Sequence, residues 1–276
     1  KKKKNKKKKK IPLLNSFKKN YKLNYSKKLV NTLKKKKNII LVGMGGSILG
    51  AKALYSFFKN KIKKKFTFYD NLSENNILDL NSKHLSKPAY IFISKSGNTI
   101  ETIANINLII RNRKKNNTKI FITEKTNNAI YEIAKKLKAE IIEHKNFIGG
   151  RYSVMSEVGM LPAELMNLKV KKFKNLNYLI NNKNFVYQLI SNVSCLYDLS
   201  KQKISNSIIL NYDPDMNDLG YWYQQLVAES LGKKGKGFVP LVSTVPKDHH
   251  SLLQLYLDGP KNNFFTFFYV YDKKSN

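Results

Sequence analysis

A short apolar run passes directly into a hydroxyl-rich loop in the stretch Ala89-Tyr90-Ile91-Phe92-Ile93-Ser94-Lys95-Ser96-Gly97-Asn98-Thr99. Its first five residues are continuous β-formers, which indicates a strand buried on both faces. A helical pattern opens at Thr99 and continues to Ile110. Hydroxyl and backbone N–H groups then face one spot at a helix N-terminus, where the helix dipole favours an anion such as phosphate. The other interpretation, a loop that only caps the helix, stays open on this stretch alone.

A second strand, turn and helix come earlier in the chain. The apolar run Asn38–Val42 leads into Gly43-Met44-Gly45-Gly46-Ser47, and a helical pattern follows over Ile48–Phe58. Glycines at such a turn allow a ligand to approach the backbone closely. The turn does not complete the dinucleotide fingerprint, because Ile48 stands where the third glycine belongs. We therefore predict no nicotinamide or flavin cofactor.

Strand and helix patterns continue to alternate through the first half. The further predicted elements are strands Phe66–Tyr69, Thr118–Ile122 and Glu140–Ile142 and helix Asn127–Lys138. This alternation predicts an α/β fold with a doubly wound parallel sheet, flanked by helices in an α-β-α sandwich. Ligands of such sheets bind at the carboxyl ends of the strands, where both loops are expected to lie.

The second half of the chain repeats the α/β pattern. Its predicted elements are helix Asn184–Leu199, strand Ser207–Tyr212, helix Asp218–Leu231, the apolar run Phe238–Val242 and strand Phe264–Val270. We predict a lysine-rich disordered tail over residues 1–22, one domain over 23–167 and a second over 168–276. No closing helix follows the last strand pattern, so we expect the second domain to be incomplete at its C-terminus.

Composition limits the function classes. The formal net charge is +34, yet residues 1–40 hold 18 of the 52 basic residues and no acidic one. Only Arg111, Arg113 and Arg151 are arginines, so the forks that read base edges are scarce and no specific nucleic-acid partner is predicted. No apolar run is long enough for a membrane span. The single cysteine, Cys195, fits a reducing cytoplasm.

Three further residue types could carry chemistry. Arg151 follows a Gly-Gly pair, where a planar cation could face developing negative charge, although a surface arginine at a helix start fits as well. Glu229 lies beside Gly232 at a helix end, and an ordinary surface glutamate fits that position too. His249 and His250 are adjacent, so at most one is expected to face a given ligand. No His, Cys, Asp or Glu cluster has metal-ligand spacing, and no metal is predicted.

Four motifs occur in one order along the chain, and together they resemble the glucose-6-phosphate isomerase family. They are Gly43-Met44-Gly45-Gly46-Ser47, Ser94-Lys95-Ser96-Gly97-Asn98-Thr99-Ile100-Glu101-Thr102, Gly150-Arg151-Tyr152-Ser153 and Glu229-Ser230-Leu231-Gly232-Lys233, with His250-Ser251 and Gln254-Leu255 as a fifth. The hydroxyl loop alone resembles all sugar-isomerase (SIS) domains, whereas the Gly-Gly-Arg and Glu-Ser-x-Gly-Lys motifs are more specific. The likeness covers residues 38–270.

This resemblance implies two SIS domains, a cytoplasmic homodimer and reversible conversion of glucose 6-phosphate to fructose 6-phosphate through an enediolate without a cofactor. It assigns the substrate phosphate to the hydroxyl loop and the first turn, namely Ser94, Lys95, Ser96, Thr99 and Ser47, with Gly45 and Gly46 close to the substrate.

The resemblance also implies three catalytic roles. Glu229 matches the base that moves a proton between C2 and C1, Arg151 matches the cation facing the enediolate, and His250 matches the histidine that assists ring opening from the partner subunit. His249 stands where the family usually has glutamine, and the family's catalytic lysine lies beyond residue 276.

Other functions remain open on the sequence. A second SIS isomerase could act on a phosphomannose or phosphopentose, and a non-catalytic sugar-phosphate-binding module would keep the two anion loops alone. A lysine-driven nucleic-acid binder would show steep salt dependence without affinity for sugar phosphates.

Overall fold

A five-stranded parallel sheet forms the centre of the first half of the protein. The computed structural model describes residues 11–73, 87–112 and 117–271. The strand order is β2-β1-β3-β4-β5, and every neighbouring pair is parallel. The strands are β1 (Asn38–Val42), β2 (Lys65–Tyr69), β3 (Ala89–Ile93), β4 (Thr118–Thr123) and β5 (Glu140–Glu143). The predicted α/β class and parallel sheet are confirmed.

Helices cover both faces of this sheet, which is why every residue of β1 and β3 is buried. Alternate side chains of β1 pack on opposite faces: Ile39 and Leu41 meet one set of helices, and Ile40 and Val42 meet the other. The first set is α1 (Lys27–Lys34), α2 (Leu49–Phe57) and α5 (Glu157–Leu165), and the second is α3 (Ile100–Asn112) and α4 (Ala129–Lys136). The continuous apolar runs are therefore strands buried on both sides, as the sequence predicts.

A second parallel sheet, of order β7-β6-β8 among the described residues, forms in the later half. Short helices α6 (Val170–Phe173) and α7 (Asn177–Asn181) lead into it, followed by α8 (Lys183–Lys201), β6 (Asn206–Asn211), α9 (Asn217–Leu231), β7 (Val239–Thr244), α10 (His249–Asp258) and β8 (Asn263–Phe268). Its core is small, with Ile208, Leu210 and Val245 as the buried apolar cluster. The exact domain limits and the incompleteness of the second domain remain predictions.

Part of the predicted N-terminal tail is ordered. Pro12–Phe17 forms a 3-10 helix, and the Tyr21 hydroxyl donates to the Glu157 carboxylate at 3.1 Å. Glu157 is fully buried, so this bond and one from the backbone N–H of Asn24 at 2.9 Å satisfy a charge that would otherwise be costly. The segment after residue 10 therefore differs from the disorder predicted by its lysine content, while residues 1–10 lie outside the described part.

A buried histidine at the end of β5 makes stability depend on pH. His144 is 2% exposed, and its backbone N–H donates to the Thr123 carbonyl at 2.8 Å. Burial lowers the pKa of His144 from 6.5 to about 4, and the charge of Lys95 acts in the same direction. Between those values the unfolded chain binds more protons than the folded one, so stability falls as the pH drops through this range.

We expect His144→Gln to remove this component of acid sensitivity. Because of this histidine, the free energy of unfolding of the wild type should fall by about 2 kcal/mol between pH 7 and pH 4.5. The variant lacks the histidine and should not show this fall. Urea unfolding at both pH values measures the difference, with exposed His250→Gln as the control. Equal acid sensitivity in wild type and His144→Gln would contradict the prediction.

Candidate active site

The hydroxyl loop lies at the carboxyl end of β3, as predicted. Ser94 Oγ and Thr99 Oγ1 are 3.0 Å apart, within hydrogen-bond distance. Ser94 Oγ also accepts from the backbone N–H of Gly97 at 3.2 Å, and Gly97 has a φ of +68° that favours glycine. Ser96 Oγ accepts weakly from the Asn98 backbone N–H at 3.4 Å. The loop thus gathers three hydroxyl groups beside the start of α3, which suits a phosphate.

Lys95 belongs to this loop, but its ammonium group has other partners. Lys95 Nζ donates to the carbonyl of Asn146 at 2.8 Å and lies 3.7 Å from a carboxylate oxygen of Glu124. These residues follow β5 and β4, the next two strands of the sheet beyond β3. In this structure the side chain therefore ties three loops together, and its predicted contact with a phosphate would require it to leave these partners.

The first glycine turn contacts the Gly-Gly-Arg segment directly. Gly45–Ser47 is a short 3-10 turn after β1, and Gly150–Met155 is another before α5. A Cβ added to Gly46 would stand 2.3 Å from the carbonyl carbon of Gly150, so only glycine fits there. Ser153 Oγ also donates to the Gly46 carbonyl at 3.1 Å. This contact brings two predicted site segments together at the carboxyl end of the sheet.

Arg151 and Glu229 form an ion pair across this junction. Arg151 Nη1 donates to Glu229 Oε1 at 2.8 Å, and Arg151 Nε donates to Ser230 Oγ at 2.9 Å. The guanidinium also lies 4.5 Å from the centre of the Tyr152 ring. Trp222 Nε1 donates to the Arg151 carbonyl at 3.2 Å, which fixes the backbone beneath it. Helix α9 and the 3-10 segment together therefore hold a carboxylate and a guanidinium side by side.

Charge around this pair also acts on Tyr152. Its hydroxyl lies 2.7 Å from Ser230 Oγ. The hydrogen bond with Ser230, and then the neighbouring Arg151, lower the pKa of Tyr152 below its ordinary value of 10.0. The site thus favours negative charge on an oxygen next to Arg151, which is the requirement for stabilising an oxyanion.

Gln225 is a residue of the candidate site that the sequence analysis did not single out. A Cβ on Gly45 would lie 2.8 Å from Gln225 Nε2, and Gln225 Oε1 is buried without a hydrogen-bond partner among the described residues. An unpaired buried oxygen is costly unless a ligand supplies a donor. The available signal was spacing: Gln225 lies four residues before Glu229 on α9, so both project from one helix face.

The structure does not bring His250 to the ion pair. His250 is exposed in the first turn of α10, and the half-buried ring of His249 packs edge-on against Tyr212 with centroids 6.0 Å apart. In the described part of the chain, no hydrogen bond or ion pair links either imidazole to Arg151 or Glu229. The role predicted for His250 therefore remains a prediction.

The described residues hold neither a cluster of metal-ligating side chains nor a helix that could span a membrane. Within residues 11–73, 87–112 and 117–271, no group of three or more His, Cys, Asp or Glu side chains is arranged to hold a metal ion. In the same ranges, no helix combines the length and apolar character needed to cross a membrane.

Solved structures share this architecture. A hypothetical protein from Thermus thermophilus superposes with a TM-score of 0.74 at 23% identity, covering 87% of this chain and 62% of that one. A glucose-6-phosphate isomerase from Chlamydia trachomatis gives a TM-score of 0.68 at 19% identity, covering 87% and 51%. Parallel sheets carrying hydroxyl and glycine loops at one edge define an α/β protein with the sugar-isomerase fold.

Sequence comparison assigns the family. The family described as phosphoglucose isomerase matches residues 13–244. The glucose-6-phosphate isomerase of Methanocaldococcus jannaschii is 34% identical over 242 residues, covering 83% of this chain and 59% of the relative. The chain belongs to the phosphoglucose isomerase family, and it spans about 59% of the length of that relative.

Proposed function

We propose that this chain is an aldose–ketose isomerase that interconverts glucose 6-phosphate and fructose 6-phosphate. The observation that carries the proposal is the 2.8 Å contact between Arg151 and Glu229 beside the Gly45–Gly46 turn. Moving a proton between C2 and C1 needs a positioned base and a cation for the oxyanion formed on the way. Glu229 supplies the first, and Arg151 supplies the second.

The hydroxyl loop binds the substrate phosphate in this proposal. Ser94, Ser96 and Thr99 lie together beside the start of α3, and Ser47 lies on the neighbouring glycine turn. Binding energy from the remote phosphate holds the open-chain sugar in register with the base. Gln225, with its unpaired buried oxygen, accepts a hydrogen bond from a sugar hydroxyl.

Substrate entry must separate the resting ion pair. Glu229 is 53% exposed while Arg151 is 17% exposed, so the carboxylate is the member free to turn toward a ligand. Arg151 keeps Ser230 as its second partner when Glu229 moves. The enediolate oxygen then takes the place of the carboxylate beside the guanidinium, and Glu229 becomes available for the proton.

The proposal also covers the oligomeric state and the cellular location of the protein. We infer a cytoplasmic homodimer that works without an organic cofactor or metal, with His250 of each subunit assisting ring opening in the site of the other. Exposure of His250 supports its availability to a partner subunit. The resemblance in motif order supports the dimer.

The test is isomerisation of glucose 6-phosphate followed by NMR in deuterated water. Formation of fructose 6-phosphate with deuterium at C1 is expected, together with binding of the unreactive analogue 6-phosphogluconate. Mannose 6-phosphate and ribose 5-phosphate serve as competing substrates. Faster turnover of either competitor would contradict the assigned substrate, and absence of both turnover and analogue binding would refute the isomerase proposal.

Ser230→Ala tests how Arg151 is held. The substitution removes the acceptor of Arg151 Nε and the partner of the Tyr152 hydroxyl. We expect kcat to fall by about tenfold with KM changed little, because a misplaced cation loses transition-state stabilisation rather than ground-state binding. Steady-state kinetics measures the split, with Ser200→Ala on exposed α8 as the control. An unchanged kcat would show that Ser230 does not position Arg151.

A further inference from the structure

The edge of the first sheet opposite the candidate active site carries a cavity lined mainly by lysines. It is an open cavity of about 740 Å³ next to the start of β1 and β2. The side chains around it include eight lysines: Lys34, Lys35, Lys36, Lys37, Lys61, Lys63, Lys64 and Lys65. The other lining residues, Asn38, Leu165, Met166 and Asn167, carry no charge. Positive charge is therefore concentrated on one concave surface, away from the hydroxyl loop.

These charges have no counterions in the described part of the chain. None of the eight lysines lies within ion-pair distance of a described carboxylate. Lysines elsewhere do find acids: Lys52 lies 2.7 Å from Asp70, and Lys145 lies 2.5 Å from Glu143. A high lysine content alone therefore does not leave every lysine unpaired, and eight lysines without an ion pair line this one cavity.

For one of the eight lysines, Lys64, contacts within the protein account for the position of the ammonium group. Lys64 Nζ donates to the carbonyl of Lys34 at 2.9 Å and also to that of Lys36, at the end of α1. Cations are favourable at a helix C-terminus, so Lys64 has a structural role. Burial, and then the charge of Lys34, lower the pKa of Lys64. Lys61 has only a distant ring contact, with Nζ 6.0 Å from the centre of Phe58.

We propose that this lysine cavity binds a small, multiply charged phosphate anion, such as a short chain of phosphate groups. Ammonium groups donate to phosphate oxygens, and an anion with several charges relieves the repulsion among the crowded lysines. The volume is in the range of small-molecule sites. Among the residues that the structure describes, no arginine and no aromatic side chain lines the cavity, so these residues offer neither a fork for base edges nor a surface for stacking bases. The phosphate chain is therefore the recognised part.

A matched pair of triple variants separates this cavity from general positive charge. The cavity variant is Lys35→Gln, Lys37→Gln and Lys63→Gln, three exposed residues that leave the helix-capping Lys64 intact. The control variant is Lys136→Gln, Lys183→Gln and Lys261→Gln, three exposed lysines that do not line the cavity. Both variants lose the same charge, and both keep the lysines of residues 1–10 and the hydroxyl loop.

The measurement is isothermal titration calorimetry with inorganic tripolyphosphate at low ionic strength. The wild type should bind, the cavity variant should lose affinity by about tenfold or more, and the control should stay within about twofold. ATP should compete through the same phosphates. Equal losses in both variants, or no binding by the wild type, would overturn the proposal. The proposal would also be overturned if a single-stranded oligonucleotide of equal charge bound more tightly than tripolyphosphate and the cavity variant abolished that binding. Circular dichroism checks folding, and Lys63→Gln alone repeats the test if the triple variant unfolds.

Discussion

Glu229→Gln is expected to lower the rate of proton transfer between C2 and C1 by about 10³-fold or more. The amide has the size of the carboxylate, and its oxygen can still accept the hydrogen bond that Arg151 Nη1 donates at 2.8 Å. It cannot take a proton from carbon, so the substitution removes the base and leaves the geometry. Affinity for 6-phosphogluconate should change much less, since the phosphate is bound by the hydroxyl loop in our proposal.

Deuterium incorporation at C1 of fructose 6-phosphate measures this step. The exchange reports proton transfer without requiring the enzyme to open the pyranose ring of glucose 6-phosphate. Glu132→Gln is the matched control, because Glu132 also pairs with a cation on the solvent-facing side of a helix, at 3.1 Å from Lys135. Full exchange activity in Glu229→Gln would assign the base to another residue. Loss of exchange in Glu132→Gln as well would point to a general effect of charge.

The elements that place the site could be predicted because their signals are local. β1 and β3 are continuous apolar runs, as expected of strands covered on both faces, and each leads at once into its loop. Parallel pairing then brings both loops to the same edge of the sheet. Burial, turn chemistry and topology all follow from short stretches of sequence.

The contact between Arg151 and Glu229 could not be predicted from the residues alone. The two lie 78 positions apart, and their distance depends on how α9 packs against the Gly45–Ser47 turn. Each residue type could be singled out, and the family resemblance gave each a role. Their pairing required the tertiary structure, as did Gln225, whose unpaired oxygen is visible only once its surroundings are known.

Long-range partners also account for contacts that the local sequence pattern does not show. The Lys95 side chain is long enough to reach Asn146, 51 positions away, rather than the hydroxyls next to it in sequence. Tyr21 lies in a lysine-rich segment that composition assigns to disorder, yet its hydroxyl meets Glu157, 136 positions later. In both cases the structure supplies a distant polar partner that the local pattern does not show, and for the fully buried Glu157 such a partner is required.

Gly46→Ala is the second change for which we expect a large effect. The added Cβ would lie 2.3 Å from the carbonyl carbon of Gly150 and 2.5 Å from the backbone nitrogen of Arg151. Both neighbours are backbone atoms, so the clash cannot be relieved by turning a side chain. The Gly45–Ser47 turn and the Gly150–Met155 segment must separate, at a cost of about 1–3 kcal/mol in stability.

The same displacement moves Arg151 away from Glu229. A shift of about 1 Å in catalytic geometry can lower activity by about 10²-fold. Gly150→Ala is the matched control, since a Cβ there would have no heavy atom within 4 Å among the described residues. Urea unfolding and isomerase kinetics on both variants separate the two effects. Unchanged stability and activity in Gly46→Ala would contradict the close contact. Losses in Gly46→Ala that Gly150→Ala does not share would show that the site depends on the close approach of the Gly46 and Gly150 backbones.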